Sequence, residues 1–407
     1  MMNEDKVLSY RVSKINMWLF SIGKGTSVIG TAFYTFAIGL YVLKLTGSGE
    51  SFALTLVMGA LPVIMISPIA GVWIDRLPKK KVAIVMDVIS GLLMLLMFGL
   101  STLFGLSLWM IYIFTLLLNV ATVIFSLAFE VAKPMLVLKE SIVKLNSISK
   151  MIDGIANVVA PLMAGVLILW FDINVFILIN GMTFLGSSVI TVLMVFHQDV
   201  HVVDKQQSFR QLLAGGISYI KSSKEIFGML LLLTLLNFTL GFATEVPLPY
   251  LFIQVFNLSP SLYGFIMSGF PVGIILGAML ADKAMRRASV WQLIKRMNIL
   301  LSILILLTAL PLLISVSKGL SIYYFILMLG IGIAISLIDV PIMVYMQTEV
   351  PTEVRARVLS VGMSIVKIVL PMGLLLSGLF IERMPMVYII VMGAGITATT
   401  AFCMRKM

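Results

Sequence analysis

The chain has one cysteine, Cys403, and two histidines, His197 and His201, among 407 residues. One thiol excludes an internal disulfide. Two histidines with no cysteine beside them supply too few ligands for a tetrahedral metal site, so no metal is expected. Charge is scarce as well: 12% of the residues are charged, against about 25% in soluble domains. So thin a supply excludes a globular protein covered in polar surface. No G-x-x-x-x-G-K stretch is present, which removes the usual phosphate cradle and with it ATP as a driving force. No nucleophile stands with a base and an orienting group in a recognisable pattern, so neither an enzyme nor a cofactor is expected. Polar segments are short throughout, which excludes an inserted soluble catalytic domain.

What fills the sequence is apolar: 60% of residues, with a mean hydropathy of +1.11. Twelve long stretches stand out, at 15–43, 52–74, 82–103, 107–130, 147–170, 173–196, 226–251, 260–281, 293–316, 319–345, 357–380 and 385–404. Each has the length a membrane-spanning helix needs, about 20 residues. Backbone polar groups cannot be left unpaired in lipid, so open strands are excluded and the spans must be helices. The longest hydrophilic stretch divides them six and six. The expected domains are therefore 1–196, a linker over 197–225 read as a cytoplasmic surface helix, and 226–407.

The net charge of +11 would suit nucleic acid were the cations gathered in one patch. They instead cluster in short loops between the spans. With cytoplasmic termini, 24 of the 29 Lys and Arg fall inside, while Lys44, Lys318 and Arg383 fall outside and Lys24 and Lys367 lie within spans. Cytoplasmic loops retain Lys and Arg, so both termini are expected in the cytoplasm and no nucleic-acid partner is expected. The lipid bilayer is the partner this composition requires.

One charged loop interrupts the early spans: Gly71-Val-Trp-Ile-Asp75-Arg76-Leu-Pro-Lys79-Lys80-Lys81. A weaker copy returns in the second half as Ala278-Met-Leu-Ala-Asp282-Lys283-Ala-Met-Arg286-Arg287. The shared pattern is a small residue, three apolar ones, an Asp-cation pair, two spacers and two cations. Its recurrence points to a duplicated, two-lobed fold. The first copy resembles the G-x-x-x-D-[RK]-x-x-[RK]-[RK] loop of the major facilitator superfamily. That resemblance implies two pseudo-symmetric six-helix lobes, twelve transmembrane helices in all, around a midplane cavity. It also implies that Asp75 is a latch pairing with cations in the outward-open state, with Gly71, Arg76, Lys79 and Lys80 completing the gate. Asp282 and Lys283 stand in the degenerate copy. A charge pair at an interface, made in one state and broken in the other, suits a reversible switch.

Two further stretches carry the resemblance. Gln347-Thr-Glu-Val-Pro351-Thr-Glu353-Val-Arg355-Ala-Arg357-Val-Leu-Ser360, followed by Pro371-Met-Gly373 and Gly378, is similar to the macrolide-efflux branch, and the enterobactin exporters share much of it. Arg357 joins the gating set on that basis. Ala156, Ala160, Pro161, Ala164 and Gly165 in span 5 resemble the G-x-x-x-G-P-x-x-G-G antiporter motif with three glycines replaced by alanine. Small residues at this spacing let helices approach closely, whether or not exchange depends on it.

Ionisable groups at membrane depth are costly and tend to mark pathways. Here they are Lys24 in span 1, Asp153 in span 5, Glu245 in span 7, Asp339 in span 10 and Lys367 in span 11, while Asp87 and Glu130 lie nearer the ends of their spans. The resemblance puts spans 1, 4, 7 and 10 around the cavity, which favours Lys24, Glu245 and Asp339 as proton-coupling or substrate-binding groups. Structural pairing of the acids with Lys24 and Lys367 is the alternative. Drug–proton antiporters of this superfamily carry an Arg in span 4, and here Asn119 stands in that stretch; Lys24 or Lys367 would have to supply the charge.

These features together imply a monomeric, multi-pass transporter in a bacterial plasma membrane. The expected activity is export of small amphipathic compounds, macrolide-like or other drugs, by alternating access in exchange for protons, with Na⁺ as the other coupling ion. Siderophore or lysophospholipid transport, or a non-transporting receptor on the same fold, are the alternatives.

Overall fold

A computed structural model describes residues 10–197, 217–314 and 319–403; within them the side chains of 68–69, 71–73, 75–76, 139, 352–353, 356–357, 360 and 402–403 lie outside the description. Most of the linker expected over 197–225 is likewise outside it. Every regular element among the described residues is helical. The spans are α1 (Tyr10–Thr46), α2 (Gly49–Arg76), α3 (Lys79–Phe104), α4 (Leu108–Leu136), α5 (Ile142–Leu167) and α6 (Ile173–Leu193). The second set is α7 (Lys224–Val255), α8 (Pro260–Met285), α9 (Val290–Leu313), α10 (Leu320–Glu349), α11 (Thr352–Ile381) and α12 (Met386–Cys403). Eleven are long and apolar enough to cross a membrane; α12 is shorter and as apolar.

Local chemistry explains where these helices start. Ser107, Ser223, Ser259 and Ser289 each accept a hydrogen bond from the backbone N–H three residues on, at Met110, Ile226, Leu262 and Gln292. Each thereby satisfies one of the four donors that a helix start leaves open. Gly105, at φ 79°, ends α3 in the left-handed region that favours glycine, and Gly47 at φ 63° turns the chain from α1 to α2.

α7 is not a regular helix. The α-helical run Lys224–Leu240 passes into π turns at Gly241–Glu245 and Leu251–Val255, separated by Pro247–Tyr250. Pro247 and Pro249 lack the N–H that a continuous ladder needs, and widened turns absorb the misfit.

The chain divides into two compact units, bounded as Met1–Tyr41 with Met58–Val202, and Val42–Val57 with Val203–Met407. In the first, α3 packs along α6 antiparallel: Gly91 lies against Gly181 and Leu185, and Met94 against Asn180. In the second, Gly269, Gly273 and Gly277 of α8 lie directly on the backbone of α10, at Phe325, Leu329 and Ile333. Four-residue spacing of glycines lets two helices meet backbone to backbone, where dispersion and not hydrophobic transfer holds helices together in lipid.

Candidate functional site

In the first unit, α1 presents Lys24 to α5. Its ammonium donates to Asp153 Oδ2 at 2.8 Å, to Ser149 Oγ at 2.6 Å and to the Ser149 carbonyl at 3.2 Å. All three ammonium donors are thus used. Lys24 is 13% exposed and Asp153 40%, so the carboxylate keeps an open side. α5 starts at Ile142, before the apolar run, because Lys144, Asn146 and Ser147 are tolerated in its first turns. Asp153 consequently lies about 16 Å along the axis from the helix start. Asn119 is elsewhere: its Nδ2 donates to the Thr115 carbonyl of its own helix at 2.8 Å, and it faces Gly59 of α2.

The five antiporter-like positions of α5, Ala156, Ala160, Pro161, Ala164 and Gly165, are all buried. Glu130, on α4, is bound to Lys133 one turn on at 2.6 Å.

In the second unit, Glu245 closes the first π turn of α7, and its side chain is exposed while Gly241–Thr244 and Val246–Pro249 are buried. Asp339 on α10 is exposed between buried Ser336–Ile338 and buried Pro341–Ile342. Lys367 is exposed on α11. None of the three makes an ion pair among the described residues of that unit, and helix register shows why for one combination. α7 and α11 run parallel, with Gly362 against Leu230 and Gly241 between Leu370 and Leu374. Glu245 then stands a turn beyond the second contact and Lys367 more than a turn short of it, about 13 Å apart along the axes. The structure therefore brings Lys24 to Asp153 and leaves Glu245, Asp339 and Lys367 separate.

Of the expected gate, Asp75 and Arg76 fall in the last turn of α2 and Lys79 opens α3; the side chains of Gly71, Asp75, Arg76 and Arg357 lie outside the described residues. Lys80 has a contact that no motif announced. Its ammonium donates to the carbonyls of Val192 and Met194, both at 2.8 Å, and lies over the Phe196 ring. It caps the C-terminus of α6, where a cation meets both open carbonyls and the negative end of the helix dipole. Asp282 pairs with Arg286 at 3.1 Å in full exposure, an i,i+4 contact of small worth, and Lys283 is exposed beside it.

Two polar residues outside the set expected to bind or couple are wholly buried. Asn16, 1% exposed, donates to the carbonyls of Leu136 and Val195 and accepts from the Val195 N–H, tying the start of α1 to the ends of α4 and α6. Asp87 of α3 is 0% exposed. A polar residue in an apolar helix is the signal both carried.

The Major Facilitator Superfamily model matches residues 20–373. Macrolide efflux protein A of Streptococcus pyogenes is 25% identical over 386 residues, covering 92% of this chain and 91% of that one. An uncharacterised transporter of this type, YfiS of Bacillus subtilis, is 25% identical over 84% of this chain and 81% of its own. Among solved structures, the nucleoside transporter NupG superposes with a TM-score of 0.72 at 15% identity over 96% of this chain and 98% of its own. A bacterial homologue of the iron transporter ferroportin, inward-facing, gives 0.70 at 16% identity, covering 98% of this chain and 99% of that one. At such identities the solved structures speak for the fold alone. With a matching family model over most of its length and a helical fold shared with transporters, the chain belongs to the Major Facilitator Superfamily and is a transporter, not an enzyme.

Proposed function

We propose that this transporter exports small amphipathic compounds, macrolide-like or other drugs, in exchange for protons. The observation that carries the proposal is the similarity to macrolide efflux protein A along nine-tenths of both chains. Two exposed carboxyl side chains in apolar helices, Glu245 and Asp339, supply groups for which proton and cargo compete. The transporter alternates access as a monomer in a bacterial plasma membrane with both termini cytoplasmic, and the Asp75 loop latches one state. Exchange in its simplest form needs no more than one such acid, exposed first to one side and then to the other. One proton moving down 100 mV supplies about 2.3 kcal/mol.

The test is macrolide-induced proton flux in proteoliposomes. Alkalinisation of the proton-rich side, abolished in Glu245→Gln or Asp339→Asn, is the expected result. Macrolide movement without any proton movement would remove the coupling, and absence of macrolide movement would remove the cargo. The exposed and unpaired Lys367 favours one second reading, an anionic cargo such as a siderophore or lysophospholipid. It is met by running the same assay with those compounds and Lys367→Gln.

A further inference from the structure

Asp87 has no role in the transport scheme above, and among the described acids its surroundings are unlike those of any other. It is 0% exposed, and neither carboxyl oxygen makes a hydrogen bond within normal geometry. The Ser187 hydroxyl of α6 is close enough to act on the carboxyl. Ser90, one turn along the same face of α3 and 1% exposed, also has an unsatisfied hydroxyl. Asp87 and Ser90, both buried on α3, therefore have polar capacity unused, and the Ser187 hydroxyl of α6 lies within reach of the carboxyl. Buried polar groups are almost always paired, and a bare carboxylate out of water costs several kcal/mol.

Among the described residues, no basic side chain provides the compensation. α6 carries no ionisable residue between Ile173 and Leu193. On α4, Glu130 and Lys133 are bonded to each other. On α1, Lys24 is held by Asp153 and Ser149. α2 approaches this region with Ile66, Ala70 and Ile74, its charged residues 75 and 76 lying in its last turn with undescribed side chains. Lys79–Lys81 stand at the start of α3, about 9–12 Å from Asp87 along the helix, and Lys80 is bonded to the end of α6.

The second unit contains the same seam with a neutral residue in it. Asp87 is the ninth residue of α3 and Ser187 the fifteenth of α6; Asn298 is the ninth residue of α9 and Thr400 the fifteenth of α12. Asn298 is also 0% exposed, and it donates to Thr400 Oγ1 at 2.6 Å. At the equivalent position an uncharged side chain of the same shape uses its donor while its Oδ1 has no partner among the described residues, whereas the ionised acid has no donor to use. Asp87 fits its seam in the way Asn298 does once something has cancelled its charge.

We propose that Asp87, with Ser90 and Ser187, is a binding site for a monovalent cation, a proton or Na⁺, set in the α3–α6 seam apart from Glu245 and Asp339. When a proton is the occupant it adds to one Asp87 oxygen as an O–H, and Ser187 or Ser90 accepts from it. When sodium is the occupant, the two carboxyl oxygens and two hydroxyls are its ligands, the hard oxygen donors such an ion takes.

Infrared difference spectroscopy of the purified protein, without any cargo, tests this independently of what is exported. The sample is stepped in pH in choline buffer, then given NaCl at fixed pH, and wild type is compared with Asp87→Asn. A carboxyl band that responds in the wild type and is lost in Asp87→Asn is expected. A response to pH alone assigns the proton, and a response to sodium assigns Na⁺. Identical difference spectra from the two proteins in both arms would overturn the site. Asn298 shows that the amide suits such a seam. Should Asp87→Asn still fail to fold, Ser187→Ala keeps the carboxyl and must shift the same band; an unshifted band is equally fatal.

Discussion

Lys24 and Asp153 show how far one residue's depth decides its role. Lys24 is nearly buried, its three donors are filled, and its partner keeps an open side. Removing one member of a buried pair leaves an uncompensated charge at a cost of about 3–5 kcal/mol, which the half-open carboxylate here reduces toward about 1–2 kcal/mol. Lys24→Met should therefore lower the melting temperature in detergent, and Lys24→Met with Asp153→Asn should recover part of the loss. A double variant that melts below Lys24→Met would mean that the pair is not what the two residues contribute. Lys80 presents the same question with a different partner. Its two carbonyl bonds belong to the end of α6, so Lys80→Gln should cost about 1–2 kcal/mol of stability. A variant as stable as wild type yet altered in transport would return Lys80 to gating alone.

At the scale of helices, the glycines separate into two kinds. A Cβ at Gly273 would press on the Leu329 carbonyl and a Cβ at Gly332 on that of Phe270, while Gly99 has nothing within 4 Å. Gly273→Ala should cost about 1–3 kcal/mol through forced separation of α8 and α10. Gly99→Ala should be neutral or stabilising by up to about 1 kcal/mol, since alanine is the better helix former. Thermal melts of the two side by side are the measurement, and equal melting temperatures would contradict the backbone-to-backbone packing. The spacing of Gly269, Gly273 and Gly277 was in plain view in the sequence, but only the fold says what lies opposite. The same holds more widely. The spans were legible because lipid imposes a composition that few soluble helices share, and serine caps mark the starts of α4, α7, α8 and α9. The start of α5 was missed because its first turns are polar, and the π turns of α7 because Pro247 and Pro249 announce a break without saying how the backbone absorbs it. Asn16 was legible only as a polar residue in an apolar helix: its partners are backbone groups far away in the chain, which have no sequence signature.

For the whole molecule, the orientation argument rests on a bias that no single residue carries. Twenty-four cations on one side against three on the other is a large asymmetry spread over short loops, which is where such charges govern insertion. With each helix read as one crossing, the α2–α3 turn at Leu77–Pro78 is expected on the side of the C-terminus, and the turns at Gly105–Ser107 and Leu169–Asp172 on the other. Reporter fusions follow directly. Alkaline phosphatase folds only after export, so it should be active when fused after Gly105 or Asp172 and inactive after Pro78 or Met407. A fluorescent protein that matures only in the cytoplasm should give the reverse pattern. Phosphatase activity at Met407 would invert every loop at once, placing the Asp75 segment outside and leaving the lysines of the α2–α3 turn with no orienting role. The four fusions thus test the assumption on which a cytoplasmic latch stands, before any cargo is known.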